Sequence, residues 1–161
     1  MDFLGETIST QDAVLLGRRT YDKWAPHWPR STMQPFADFI NSATKYVFSS
    51  TQPALPWWGT TRVDRPAPAF VSELKGQDGK DIGVHGSLTL SRTLLAAGLV
   101  DELRLVVAPS LAGQGRRLFP DDAALHHFEL LTCERSGGCL LLHYRMRRHQ
   151  ADVTWAGPDG R

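Results

Sequence analysis

Charge of either sign is not in excess in this sequence: 18 Lys and Arg stand against 17 Asp and Glu, a formal net charge of +1. So weak a field gives no reason to expect nucleic acid or an anionic membrane as a partner. The basic pairs Arg18-Arg19, Arg116-Arg117 and Arg147-Arg148 are local, acidic residues are scattered between them, and the last pair reads as solvated surface. Long apolar runs are missing too. None approaches the roughly 20 residues of a bilayer-crossing helix, and the stretch near Leu94 to Leu99 is broken by Gly98. The opening MDFLGETIST has no basic leader followed by an apolar core, so it does not read as a secretory signal. The expectation is a soluble, cytoplasmic protein without a membrane segment.

Cysteine is scarce, with Cys133 and Cys139 only, flanking Ser136-Gly137-Gly138. That stretch reads as a hairpin turn. If the three residues form the loop, Arg135 faces Cys139 and Cys133 faces Leu141. The thiols are then diagonal neighbours at roughly 7–8 Å, too far for an unstrained bridge. A two-residue Gly-Gly loop would put them on opposite faces instead. Neither register favours a disulfide, in keeping with a reducing compartment. Two thiols are too few for a zinc site, and the adjacent His126-His127 point apart in a strand.

Several chemical signatures are also lacking. No GxGxxG or GxxxxGK[ST] occurs, which disfavours an ordinary Rossmann dehydrogenase and a Walker-type hydrolase. There is no GxSxG, and the six histidines have no evident Ser or Cys partner, which leaves nucleophilic catalysis unsupported. The tryptophans at 24, 28, 57 and 58 read as packing rather than as a base-stacking platform.

What is present is an alternation of strand-like and helix-like segments, with 161 residues and 42% hydrophobic content, enough for one ordinary core. Ala13 to Leu16 reads as a short buried strand ending at Gly17. Phe36, Phe39, Ile40 and Ala43 recur at helical spacing after Pro35. Lys45 to Ser49 and Thr61 to Val63 read as strands, and Phe70, Val71 and Leu74 as the buried side of a helix. Asp81 to His85 is the next strand. Leu90, Leu94 and Ala97 then mark a helix face, with Ser87 as N-cap and Gly98 just past its end. Toward the C-terminus Leu103, Leu105 and Val107 alternate with Glu102, Arg104 and Val106. In the three-residue-loop register Phe128 faces Met146, Leu130 faces Tyr144 and Glu129 faces Arg145, which keeps apolar residues on one face. The expected fold is a three-layer α/β domain over residues 1–147. Its sheet is mixed and mostly parallel, with an antiparallel C-terminal hairpin, and residues 148–161 form a loose tail.

Two strand ends suit an anion. At Gly17-Arg18-Arg19-Thr20, a helix opened by Thr20 would offer its hydroxyl and free backbone N–H groups, with an arginine for charge-assisted bonds. A capped helix start with two solvated arginines explains that short pattern as well. At Gly86-Ser87, glycine permits close approach and the following helix N-terminus favours negative charge; a turn glycine with an N-cap serine is the plainer alternative. Gly113-Gln114-Gly115 with Arg116-Arg117 could cradle an anion or simply turn the chain.

The segments DAVLLGRRTYDKWAPHWP, FADFINSATKYVFSST, DIGVHGSLTLSRTLLAAGLVDELRLVVAPSLAGQGRRLFPD and SGGCLLLHYRMR, in this order, resemble the dihydrofolate reductase-like superfamily. Within it they resemble the branch that contains the C-terminal reductase domain of the bifunctional riboflavin-biosynthesis protein, over roughly Asp12 to Arg147. The resemblance implies NADPH lying across the C-terminal edge of the sheet. By position, Gly17, Arg18, Arg19 and Thr20 would hold cofactor phosphates. Ser49, Ser50 and Thr51 would lie near the adenosine ribose and its 2′-phosphate. Gly86, Ser87, Leu88 and Thr89 would lie beneath the pyrophosphate and nicotinamide ribose. It further implies a homodimer and hydride transfer to a small heterocyclic or ribityl-type substrate.

Two departures from the family stand out. Dihydrofolate reductases join paired glycines by a cis peptide where this chain has His85-Gly86, a costly geometry outside proline; His85 could sit near the cofactor, but reads more simply as the end of its strand. Relatives also begin with an additional strand and loop. Here the chain opens on the helix before the Leu15-Leu16 strand, with Asp2 and Glu6 where an acidic substrate contact could lie but more simply on a solvated turn, so a sheet strand and part of the active site are expected to be lacking. A start codon assigned too late would look the same. The alternative to a reductase is a non-catalytic nucleotide-binding or dimeric scaffold relative.

Overall fold

The computed structural model describes residues 3–119 and 124–147. The elements follow in the order α1 (Phe3–Ser9), β1 (Gln11–Gly17), α2 (Arg18–Trp24), a single 3-10 turn (Trp28–Arg30), α3 (Phe36–Ser42), β2 (Thr44–Phe48), β3 (Thr60–Val63), α4 (Ala67–Lys75), β4 (Asp81–Val84), α5 (Leu88–Ala96), β5 (Glu102–Val107), β6 (Phe128–Ser136) and β7 (Cys139–Met146). No helix among the described residues is long and apolar enough to cross a membrane. The residues read as a tail, 148–161, lie outside the described residues.

The described residues group into two compact units, one drawn from Met1–Leu99 with Arg117–Pro120 and the other from Val100–Arg116 with Asp121–Arg161. In the first, four parallel strands are ordered β3-β2-β1-β4. β1 is central, and the run Ala13 to Leu16 is buried throughout. A strand covered on both faces needs no polar alternation, which is why it reads as an unbroken apolar run. Val14, Leu16 and Val47 face a cluster with Ile8, Tyr21, Phe36, Ile40 and Trp57, supplied by α1 to α3 and the 52–58 segment. On the opposite face the Phe70 ring of α4 packs on Tyr46 at 4.9 Å and Phe48 at 5.7 Å. Leu90, Leu94 and Leu95 of α5 are buried as well. Each such side chain contributes ~1.5–3 kcal/mol on burial. The layers are therefore helix, sheet and helix, and the α/β class is as expected.

One strand residue departs from its reading. Lys45, in a segment read simply as a strand, is fully buried. Its ammonium donates to the carbonyls of Ile40 at 2.8 Å and Ala43 at 2.7 Å, and lies 4.8 Å from the Trp57 ring centroid. It thereby satisfies carbonyls that the end of α3 leaves unpaired, where the helix dipole favours a cation.

The second unit is a three-stranded antiparallel sheet ordered β5-β7-β6. The parallel and antiparallel pairings thus form separate ladders. Among the described residues β4 pairs with β1, and β5 with β7. Phe128↔Met146, Glu129↔Arg145 and Leu130↔Tyr144 pair as expected, but the turn differs. Ser136 pairs with Cys139, Cys133 with Leu142, and Arg135 with Leu140. Gly137 and Gly138 form a two-residue loop with φ of 53° and 84°. Two successive positive-φ residues match a type I′ turn, whose twist suits a hairpin. The register shifts between Leu130 and Thr132, so the extra residue is absorbed in a bulge and the far end keeps its pairing.

Helix α5 ends as its sequence indicates. Gly98 donates to the Leu95 carbonyl and Leu99 to that of Leu94, both at 3.0 Å, the paired closure of a Schellman motif.

Candidate functional site

Parallel pairing brings the C-terminal ends of β1, β2 and β4 to one sheet edge. Gly17 lies beside Phe48, and Leu15 beside Val84. The residues that follow each strand, Arg18, Ser49 and His85-Gly86, must therefore emerge together. Three of the segments picked from sequence meet here for that reason.

The contacts are close. A side chain at Gly17 would collide with the Ser87 hydroxyl, so glycine is what lets the start of α2 approach the start of α5. Gly86 has φ +67°, and a Cβ there would lie 3.3 Å from both Thr20 and Trp24. The His85–Gly86 peptide is trans. Thr20 Oγ1 donates to the Gly86 carbonyl at 3.2 Å. One expectation is corrected by these contacts, and another holds in position only. Helix α2 opens at Arg18 rather than Thr20, because the chain turns helical directly after Gly17, and Thr20 is then free to bridge to the neighbouring turn. Ser87 occupies the N-cap position of α5 without making a side-chain cap bond. Its hydroxyl is turned against Gly17 instead, so among the described residues the first-turn N–H groups of α5, including those of Leu88 and Thr89, have no side-chain cap from Ser87.

Arg18 organises the third segment. Its Nη1 donates to Thr51 Oγ1 at 2.7 Å, to Ser49 Oγ at 3.2 Å and to the Thr51 carbonyl at 3.2 Å. Its Nε donates to both Asp22 carboxylate oxygens, at 2.8 and 2.9 Å. An arginine at the positive end of a helix, with its acid one turn later, is the less favourable orientation. Helix stability therefore does not account for Arg18; its reach to Ser49 and Thr51 does. Arg19 and Ser50 are exposed, and their side chains make no hydrogen bond or ion pair among the described residues. Gly113 and Gly115 lie in the second unit, and a Cβ at either would meet open space.

Two further residues at this edge take roles that the sequence did not assign them. Arg62, near the end of β3, donates from Nη1 to the Ser49 carbonyl at 3.2 Å and to Asp64 at 2.8 Å. His85 is more than the end of a strand. Its ring packs on Phe36 and Phe39 at 5.5 and 5.9 Å, and Nε2 lies 2.9 Å from Gln11 Oε1. The Gln11 amide nitrogen donates to the Thr7 carbonyl, which leaves its oxygen for His85 and makes Nε2 the protonated nitrogen. Burial pushes the His85 pKa down to about 4, so the ring is neutral near pH 7.

Residues 2–142 match the RibD C-terminal domain family. The chain is 35% identical over 131 residues to the Bacillus subtilis (strain 168) protein YyaP, a match covering 74% of this chain and 63% of YyaP. Among solved structures it resembles a Shewanella sp. PV-4 protein named for riboflavin biosynthesis, with TM-score 0.73 and 18% identity over 92% of this chain and 81% of that one. It also resembles the Thermotoga maritima diaminohydroxyphosphoribosylaminopyrimidine deaminase/5-amino-6-(5-phosphoribosylamino)uracil reductase, with TM-score 0.63 and 18% identity over 89% of this chain and 48% of that one. The chain thus spans about half of the Thermotoga protein and under two thirds of YyaP. At these identities the likeness to the solved structures is one of fold, and that fold is dihydrofolate reductase-like. The family match and the fold agree: this chain belongs to the RibD C-terminal domain family.

Proposed function

We propose that the protein is an NADPH-dependent reductase acting, as a homodimer, on a small heterocyclic or ribityl-type substrate. The observation that carries this reading is the meeting of Gly17, Thr20, Gly86 and Ser87 at one sheet edge, with uncapped N–H groups at the start of α5. These residues fit a dinucleotide. Glycines at two strand ends let phosphates approach the backbone, and the open first turn of α5 supplies donors and a favourable dipole. Arg18, with the Ser49 and Thr51 hydroxyls, would hold the adenosine-side phosphate. When bound, NADPH supplies a hydride to the carbon of a C=N or C=O bond.

The chain's own contribution is position. The Thr20–Gly86 bond fixes the turn beneath the cofactor, and the Phe36, Phe39 and His85 rings exclude water from their side of β4. Neutral His85, with its Nε2 proton committed to Gln11, holds that wall rather than donating a proton.

The test is turnover with the phosphoribosylaminouracil for which the Thermotoga protein is named, followed as loss of the reduced nicotinamide's absorbance. Substrate-dependent oxidation of NADPH supports the reductase. Tight NADPH binding with no oxidation of this or related ribityl substrates would instead support a nucleotide-binding relative without catalysis.

A further inference from the structure

Gly83, within β4, leaves a slot over which two polar side chains meet. Side chains alternate along a strand, so Gly83 shares a face with His85 two residues later. A Cβ at Gly83 would collide with Gln11 Oε1 and lie 2.8 Å from His85 Nε2. Gln11 reaches this slot from the start of β1, the neighbouring strand, with its amide nitrogen held 3.0 Å from the Thr7 carbonyl of α1. Its oxygen takes the Nε2 proton of His85 at 2.9 Å. A line of contacts thus runs from α1 through Gln11 and His85 to Gly86, whose carbonyl accepts from Thr20 of α2. Apolar side chains at 11 and 83 would close the same face without burying polar atoms, so packing does not account for the pair.

We propose that Gln11 is a positioning residue: it holds His85 in one rotamer and one tautomer, and through His85 it fixes the Gly86 turn. This rests on the NADPH reading above and adds to it a residue that touches neither cofactor nor substrate. Gly86 has φ +67°, and glycine imposes little conformational preference of its own, so the turn takes its shape from its neighbours. Thr20 restrains it from one side. On the other side His85 precedes it directly in the chain and is itself held by the Phe36 and Phe39 rings and by Gln11. The two rings are apolar and do not distinguish the imidazole nitrogens. The Gln11 oxygen does, because it accepts and cannot donate. Its orientation is set in turn by Thr7, whose carbonyl takes an amide proton.

Equilibrium titration of NADPH into wild type, Gln11→Met, His85→Phe and the double variant tests the role, alongside the His85 nitrogen shifts and hydrogen exchange at the Gly86 and Ser87 amides. Gln11→Met keeps the length and apolar volume and loses the acceptor. It should weaken NADPH by ~5-fold or more, the scale of one hydrogen bond. The same variant should speed exchange at Gly86 and Ser87 and leave the Val14 and Leu15 amides of β1 unchanged. Its His85 nitrogens should move from one fixed tautomer toward a mixture. In the His85→Phe background Gln11→Met should cost less than about 2-fold, because its route to the turn is gone. Unchanged affinity in Gln11→Met, or the same loss with and without His85, would overturn the role while leaving NADPH binding intact. No binding to wild type would overturn it together with the NADPH reading. If Gln11→Met melts well below wild type, Gln11→Asn, which is too short to reach His85, takes its place with the same expectations.

Discussion

The Thr20 hydroxyl donates to the Gly86 carbonyl across 3.2 Å, tying the first turn of α2 to the turn that precedes α5. Sixty-six residues separate the two along the chain. Thr20→Val keeps the branched shape and removes the bond. Because the bond is exposed, the variant should lose no more than ~1 kcal/mol of stability, measured by urea unfolding. NADPH affinity should fall by a larger factor than that loss implies, because the bond positions Gly86. Unchanged affinity would remove Thr20 from the site.

Lys45 predicts a rise of stability with pH. Burial lowers its pKa from 10.5 to about 8. Between those values the unfolded chain binds more protons than the folded one, so stability rises with pH across this window and is lowest below it. The full span is on the order of 3 kcal/mol. The comparison is urea unfolding of wild type and Lys45→Met from pH 7 to 10.5. Lys45→Met should be destabilised throughout, with two buried carbonyls left unpaired, and should lack the pH-dependent gain.

His85 predicts the opposite edge of the profile. Its pKa falls from 6.5 to about 4 on burial. The stability this neutral ring provides is complete above pH 6.5, is lost as pH falls toward 4, and amounts to roughly 3 kcal/mol. His85→Gln can keep a bond to Gln11 but cannot titrate. Its unfolding midpoint should therefore fall less than that of wild type between pH 7 and 5. Parallel losses in both proteins would show that other groups set the acid limit.

These predictions also mark what the sequence could and could not reveal. β1 was legible because Ala13 to Leu16 is buried on both faces and needs no polar residue. The end of α5 was legible because a glycine just past an apolar helix face has one common use, and Gly98 has it. The hairpin was half legible. Side-chain alternation set the far end at Leu130 and Tyr144, but Ser136-Gly137-Gly138 fits two loops, and the bulge after Leu130 has no composition of its own.

Residues at the site divided in the same way. Gly17, Arg18, Thr20, Ser49, Thr51, Gly86 and Ser87 follow strand ends, where a parallel sheet gathers its loops, and the structure brings them into two contacting groups. The roles of Arg62, Lys45 and Gln11 were silent, and His85 was noticed without its partner, since each acquires its role from a residue on another element. No local pattern records a partner that the fold supplies.

The central claim is tested most directly by calorimetric titration of NADPH into the wild-type protein, with Arg18→Ala alongside. The account predicts saturable binding that weakens ~10-fold or more in the variant, as Ser49 and Thr51 lose the guanidinium that joins them to α2. No heat of binding to wild type, or equal affinity in both proteins, would contradict it.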